Sequence, residues 1–212
     1  MEKEEIEFME EWLSLEKYHF KIITMITVLA DNNRTFRGKL KDLSNELGIQ
    51  FNQGNKSRIL TTLNYLTQEN YINTIEDKDI YTISLAAAAE KSKKIIKIKK
   101  AWYQLIREAK GNAAWDSVLK TFLIVSELPH NLIITYNEIG KMVSLKETTV
   151  KNCIKTICSI DFGDFEIARD KITSHPAVLL IFYISSFIYH QKQNQYIRNQ
   201  KYIHINIKQI CK

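Results

Sequence analysis

The residues best suited to specific chemistry are polar and lie close together: Asn55, Lys56, Ser57 and Arg58, with Thr61 and Thr62 one helical turn further on. A guanidinium offers two parallel N–H donors that match the O6/N7 edge of a guanine, and an asparagine amide can pair with adenine. Lys56, Lys39 and Lys41 are better suited to phosphate oxygens, which orient a ligand without identifying it. A second cluster has the same character. Thr148, Thr149 and Asn152 follow Glu147, with Lys146, Lys151 and Lys155 around them.

Bond-making chemistry finds no comparable set. There is no GxGxxG or GxxxxGK[ST] loop, no HExxH, and no G-x-S-x-G elbow. The five histidines are scattered, and Cys153, Cys158 and Cys211 form neither a CxxC nor a Cys/His cluster. The expectation is reduced thiols in a cytoplasmic protein, with no metal, no cofactor and no enzymatic activity. Asp161, Asp164 and Glu166 are near one another, but acidic turn residues explain them more simply than a carboxylate site. The acidic N-terminus lacks the order of a signal peptide. The most apolar stretch, Ala177 to Tyr189, is too short for a bilayer, so no membrane partner is expected.

Charge narrows the partner class. The chain has 212 residues and a net charge of +6, yet residues 1–16 hold seven Glu and one Lys. The remainder therefore carries +12 (6 plus 6). Arg34–Leu60, Lys91–Lys110 and His190–Lys212 carry +4, +7 and +5, and the segments between them are acidic on balance. A basic body favours a polyanion, because each neutralised phosphate releases condensed counterions. With 45% hydrophobic residues, six Gly and two Pro, the chain folds, and a turn-rich β-sandwich is excluded.

The elements that must hold these clusters follow from periodicity. Tyr18 to Ala30 has the spacing of a helix; Leu40, Leu43 and Leu47 mark a short one ended by Gly48. Ile59, Leu63 and Leu66 form the stripe of a third helix. Ile72, Ile75, Tyr81 and Ile83 flank the polar run Glu76–Asp79, as in a hairpin. The pattern then repeats. Glu138 to Leu145 aligns with Asp42 to Ile49 at an offset of 96; Val150, Ile154 and Ile157 align with Ile59, Leu63 and Leu66 at an offset of 91. The five-residue difference is expected in the turn, and a second wing in Phe162 to Ile172. Between the copies, residues 86–110 suggest one helix whose Lys93, Lys97, Lys100 and Arg107 form a stripe for phosphates. Val178 to Tyr189 suggests a buried helix, between domains or in a homodimer interface.

This order resembles the winged helix-turn-helix family, on Asp42-Leu43-Ser44-Asn45-Glu46-Leu47-Gly48-Ile49, then Ser57-Arg58-Ile59, Leu63, Leu66 and Tyr71-Ile72. The tandem arrangement is similar to plasmid theta-type replication initiators and phage replisome organisers. The expected fold is mainly α with small β-hairpin wings: two winged helix-turn-helix domains joined by a long helix. The divisions are 1–17, an acidic N-terminal helix or extension; 18–85, domain 1; 86–110, a basic linker helix; 111–173, domain 2; and 174–212, an apolar helix and basic tail. The resemblance implies sequence-specific double-stranded DNA binding by a dimer, in plasmid replication or in transcription regulation, alongside replication or transcription proteins. The acidic wing tips favour the alternative of a protein–protein scaffold built from winged helices.

Overall fold

The computed structural model describes residues 4–86, 94–110, 114–128, 133–163, 165–172 and 179–186. The fold is mixed α/β, with helices and small antiparallel sheets. A first strand, β1 (Glu5–Met9), leads into a 3-10 helix (Glu10–Ser14). Then come α1 (Lys17–Leu29), β2 (Thr35–Gly38), α2 (Leu40–Glu46), α3 (Gln53–Gln68), β3 (Ile72–Asp77) and β4 (Ile80–Leu85). After β5 (Ile95–Lys99) and α4 (Lys100–Lys110) come α5 (Trp115–Glu127), β6 (Ile133–Thr135), α6 (Tyr136–Val143), α7 (Glu147–Ile157), β7 (Phe165–Ile172) and β8 (Leu179–Ser186). From α1 and from α5 the chain runs through the same sequence of helix, strand, helix, helix, strand, strand. The two three-stranded sheets also share a topology, β2-β4-β3 and β6-β8-β7.

The correspondence extends to single bonds at the 96-residue offset. The backbone N–H of Lys39 donates to Asp42 Oδ2 at 2.8 Å, and that of Thr135 to Glu138 Oε2 at 2.7 Å. Each carboxylate thus closes the start of its helix. At the other end, Ile49 N–H reaches Ser44 O at 3.1 Å and Leu145 N–H reaches Gly140 O at 2.9 Å. Gly48 and Ser144 both take the left-handed conformation this turn requires, with φ of 67° and 53°. The five extra residues of the first copy are not confined to the turn. Part of them lengthens the N-terminus of α3, which has 16 residues against 11 in α7.

Three expected elements differ. Residues 95–99 are a strand rather than part of one linker helix. Ile96 and Ile98 are buried while Lys97 and Lys99 are exposed, so the period there is two and only α4 is helical. Of the two forms expected for the acidic N-terminus, an extended strand comes first and only a short 3-10 helix follows: β1 pairs with β5, setting Glu5 opposite Lys99 and Glu7 opposite Lys97. The described part of Val178–Tyr189 is β8, the central strand between β6 and β7. A run of Leu, Ile, Phe and Tyr with no polar face suits a strand paired on both edges as well as a buried helix. The buried helix expected between domains or in a homodimer interface is therefore a strand over Leu179–Ser186. β7 overlaps the expected second wing but pairs with β8, so the hairpin extends further along the chain. The tail from 187 onward lies outside the described residues.

One hydrophobic core serves both halves, with α1 and α5 at its centre. Phe20, Ile22, Ile23, Met25 and Ile26 are all buried on α1, as is every residue from Trp115 to Val125 on α5. The contact between them contains charge. Lys21 Nζ lies 3.2 Å from Asp116 Oδ1, and Lys120 donates to the Leu15 carbonyl while its ammonium sits 5.0 Å from the Phe20 ring centroid. Lys120 is 2% exposed and Asp116 1%. Burial pushes Lys120 down to about 8, against the opposing pull of Asp116.

Two measurements check this picture. A Cβ on Gly140 would meet the Leu145 carbonyl oxygen at 2.5 Å, on a backbone that cannot yield cheaply. Gly140→Ala should cost about 1–3 kcal/mol in chemical denaturation, instead of the gain of about 0.5–1 kcal/mol usual for a helix-interior glycine. The second is pH dependence. Between about 8 and the ordinary 10.5, the unfolded chain holds a proton that folded Lys120 has lost. Stability therefore rises with pH across that window through this group. Tyr103 and Tyr81, both raised to about 12, act oppositely above 10, so the comparison is made between pH 8 and 10. Lys120→Met should flatten the rise seen in the parent.

Candidate nucleic-acid interface

Asn52 starts α3. Its Oδ1 accepts from the Asn55 N–H at 2.9 Å, and its carbonyl accepts from Lys56 N–H at 2.8 Å. Ile59, Thr62, Leu63 and Leu66 face the core, which turns Ser57, Arg58, Thr61 and Asn64 to solvent. No Asp or Glu occurs anywhere in the helix. Lys39 and Lys41, exposed at the start of α2, lie on the preceding helix of the same unit.

Two ring contacts join α3 to the first turn of α1. The Arg58 guanidinium carbon lies 3.9 Å from the Tyr18 ring centroid, and His19 stacks on Tyr65 at 4.1 Å with 16° between planes. Burial raises the Tyr18 hydroxyl above its ordinary value, with Arg58 pulling the other way. Sequence reasoning missed Tyr18, His19 and Tyr65. They read as unremarkable helix residues, and about 40 positions separate the partners. Phe51, exposed in the turn before α3, was missed as well.

Two candidates in the first cluster change standing. Thr62 is 2% exposed and packs inward, because it falls on the Ile59–Leu63–Leu66 side of the helix. It is not available as a contact. Asn55 is half-exposed, and its amide donates to the Gln50 carbonyl at 2.8 Å, closing the turn. Lys56 is half-exposed, while Ser57, Arg58 and Thr61 are exposed.

In the second unit α7 exposes Lys146 at its cap, then Thr148, Lys151, Asn152 and Lys155, while Thr149 is half-buried. Glu147 is exposed among them. Asp161 Oδ1 accepts from the Gly163 N–H at 2.8 Å, an ordinary turn; Asp164 lies outside the described residues.

The linker stripe does not form as expected. Lys93 lies outside the described residues. Lys97 is on β5, where its Nζ meets Glu7 Oε1 at 2.9 Å, and this partner raises its pKa. Lys100 is half-buried at the start of α4. Arg107 reaches back into the first half, donating to the Glu46 carbonyl at 2.9 Å and to the Tyr103 hydroxyl at 3.2 Å. It also sits 5.3 Å from the Trp115 ring. Arg107 ties α2 to the junction of the halves. The 3.6-residue spacing that aligned Lys97 with Arg107 fails because the helix begins only at Lys100.

The β3–β4 hairpin turns at Lys78 and Asp79, with Lys78 at φ 59°. Glu76, Asp77 and Asp79 are exposed there, and Ile75 is 68% exposed. The Tyr81 hydroxyl donates to Glu76 Oε1 at 2.6 Å.

No protein-family model matches the chain, and no curated protein is significantly similar to it.

Asn52→Ala removes the side-chain cap of α3 and should cost about 0.5–2 kcal/mol in denaturant unfolding. The same measurement on Ser57→Ala, whose side chain makes no hydrogen bond to the described residues, should give a change within about 0.5 kcal/mol.

Proposed function

We propose that the chain binds double-stranded DNA through α3, as a protein of two winged helix-turn-helix units. The single observation that carries this reading is the acid-free α3. It presents Ser57, Arg58 and Thr61 to solvent, is capped at Asn52, and follows a helix that begins with Lys39 and Lys41. In a helix-turn-helix the second helix of the motif enters the major groove by its N-terminal end. Arg58 suits a guanine edge, Ser57 and Thr61 suit either base edges or the backbone, and Lys39, Lys41 and Lys56 suit phosphates. The equal element order and sheet order of the second half support a second unit, with Lys146, Thr148, Lys151, Asn152 and Lys155 as its outward residues.

The role proposed for such binding is replication initiation or transcription regulation on a mobile element, in the cytoplasm, without catalysis. Genomic fragments recovered with the protein would lie at an origin in the first case and at promoters in the second. The acidic β3–β4 hairpin, with Ile75 exposed, favours a second reading, in which winged units dock protein rather than DNA. An acidic hairpin repels phosphate, so in the DNA reading it is held away from the duplex.

Fluorescence anisotropy with a labelled duplex separates these readings. The DNA reading expects binding that weakens steeply as salt rises, since counterion release drives it. Absence of binding at low salt would sink it. On a duplex that the protein selects from a randomised pool, Arg58→Ala should cost about 1–3 kcal/mol, whereas Lys41→Ala should weaken all duplexes alike.

A further inference from the structure

We propose that Tyr18 is the positioning residue for Arg58: its ring fixes the guanidinium plane, so that the fork meets its ligand already oriented. This rests on the DNA reading of α3 and names what gives that site its selectivity. The Tyr18 ring lies 3.9 Å from the guanidinium carbon, close enough for flat stacking. Arg58 makes no hydrogen bond or ion pair among the described residues, so its N–H donors remain for a ligand while its π face is occupied. The ring is itself held. It is half-buried against the core at the first turn of α1, and its hydroxyl makes no hydrogen bond among the described residues. The neighbouring His19–Tyr65 stack fixes α1 against α3 two turns further along, on the side of α3 that carries Arg58.

A free arginine side chain must give up several rotamers when it docks; one already stacked gives up fewer. The gain applies only where the fork meets a fixed edge. A diffuse phosphate attraction needs no particular orientation. Tyr18 should therefore raise affinity for the selected duplex and leave affinity for other duplexes unchanged.

The test uses the full chain and two duplexes: one selected by the parent from a randomised pool, and a scramble of it. Tyr18→Phe keeps the ring and loses only an unbonded hydroxyl, so it should match the parent on both. Tyr18→Leu should weaken the selected duplex about five- to ten-fold and leave the scramble unchanged. Equal weakening of both duplexes by Tyr18→Leu, or none, overturns the positioning role. Parent-like binding of both duplexes by Arg58→Ala instead overturns the DNA reading of α3 itself. Should Tyr18→Leu fail to fold, Arg58→Lys leaves α1 intact, keeps the charge and lacks the flat fork. It should reproduce the selective loss, and parent-like binding by it overturns the proposal. Nuclear magnetic resonance of the unbound parent gives a further readout. The Arg58 side-chain protons should be shifted upfield by the Tyr18 ring current, and unshifted protons would contradict the stack.

Discussion

Phe20, Ile22, Ile23, Met25 and Ile26 cover α1 on all sides, and the residues from Trp115 to Val125 do the same for α5. A helix without an exposed face needs neighbours all round. Both helices lie in the common core and meet at Lys21 and Asp116. The charges trapped in this contact are tolerated because each has a polar partner. Lys21 faces Asp116, and Lys120 has the Leu15 carbonyl. Arg107 adds a tie from α4 to the end of α2. The positions of the two outward helices, α3 and α7, thus depend on an apolar contact with a small ionic centre.

The surface charge follows from the same folding. A net +6 suggests a basic molecule with an acidic appendage, but the appendage folds onto part of the basic surface. Glu7 pairs with Lys97 and with Arg34, and Glu10 with Lys94. Such exposed pairs contribute little stability each. Their effect is on the electrostatic map: Lys97 and Lys94 are compensated within the chain, whereas Lys39, Lys41 and Arg58 have no carboxylate partner among the described residues. Lys146, Lys151 and Lys155 of the second unit are exposed in the same way.

Much of the fold could be read from the sequence. Local signals located α1, α2, α3, the β3–β4 hairpin and the α6–α7 pair, and the 96-residue offset anticipated matching caps and turns. Errors arose where one pattern satisfied two structures. Ile95-Ile96-Lys97-Ile98-Lys99 fits both a helix stripe and a strand alternation, and only its partner, β1, decides between them. The run in β8 is apolar enough for either state, and its place between two strands decides. The candidate site was legible in residue type and in the outward direction of Ser57, Arg58 and Thr61. Thr62 was misjudged by one helical step, and the stacks on Tyr18 and Tyr65 could not be seen because they join residues distant in the chain.

The order of synthesis gives the shared core a further meaning. A ribosome releases α1 long before α5, and β1 long before β5. Until Trp115–Val125 emerges, the flank of α1 that Lys120 and Asp116 will cover faces water, together with Lys21. The first half cannot complete its burial while the second is still inside the exit tunnel. The nascent chain therefore holds a sticky, incompletely covered helix while the 85 residues between Leu29 and Trp115 are made, an interval in which cellular chaperones have a defined segment to shield.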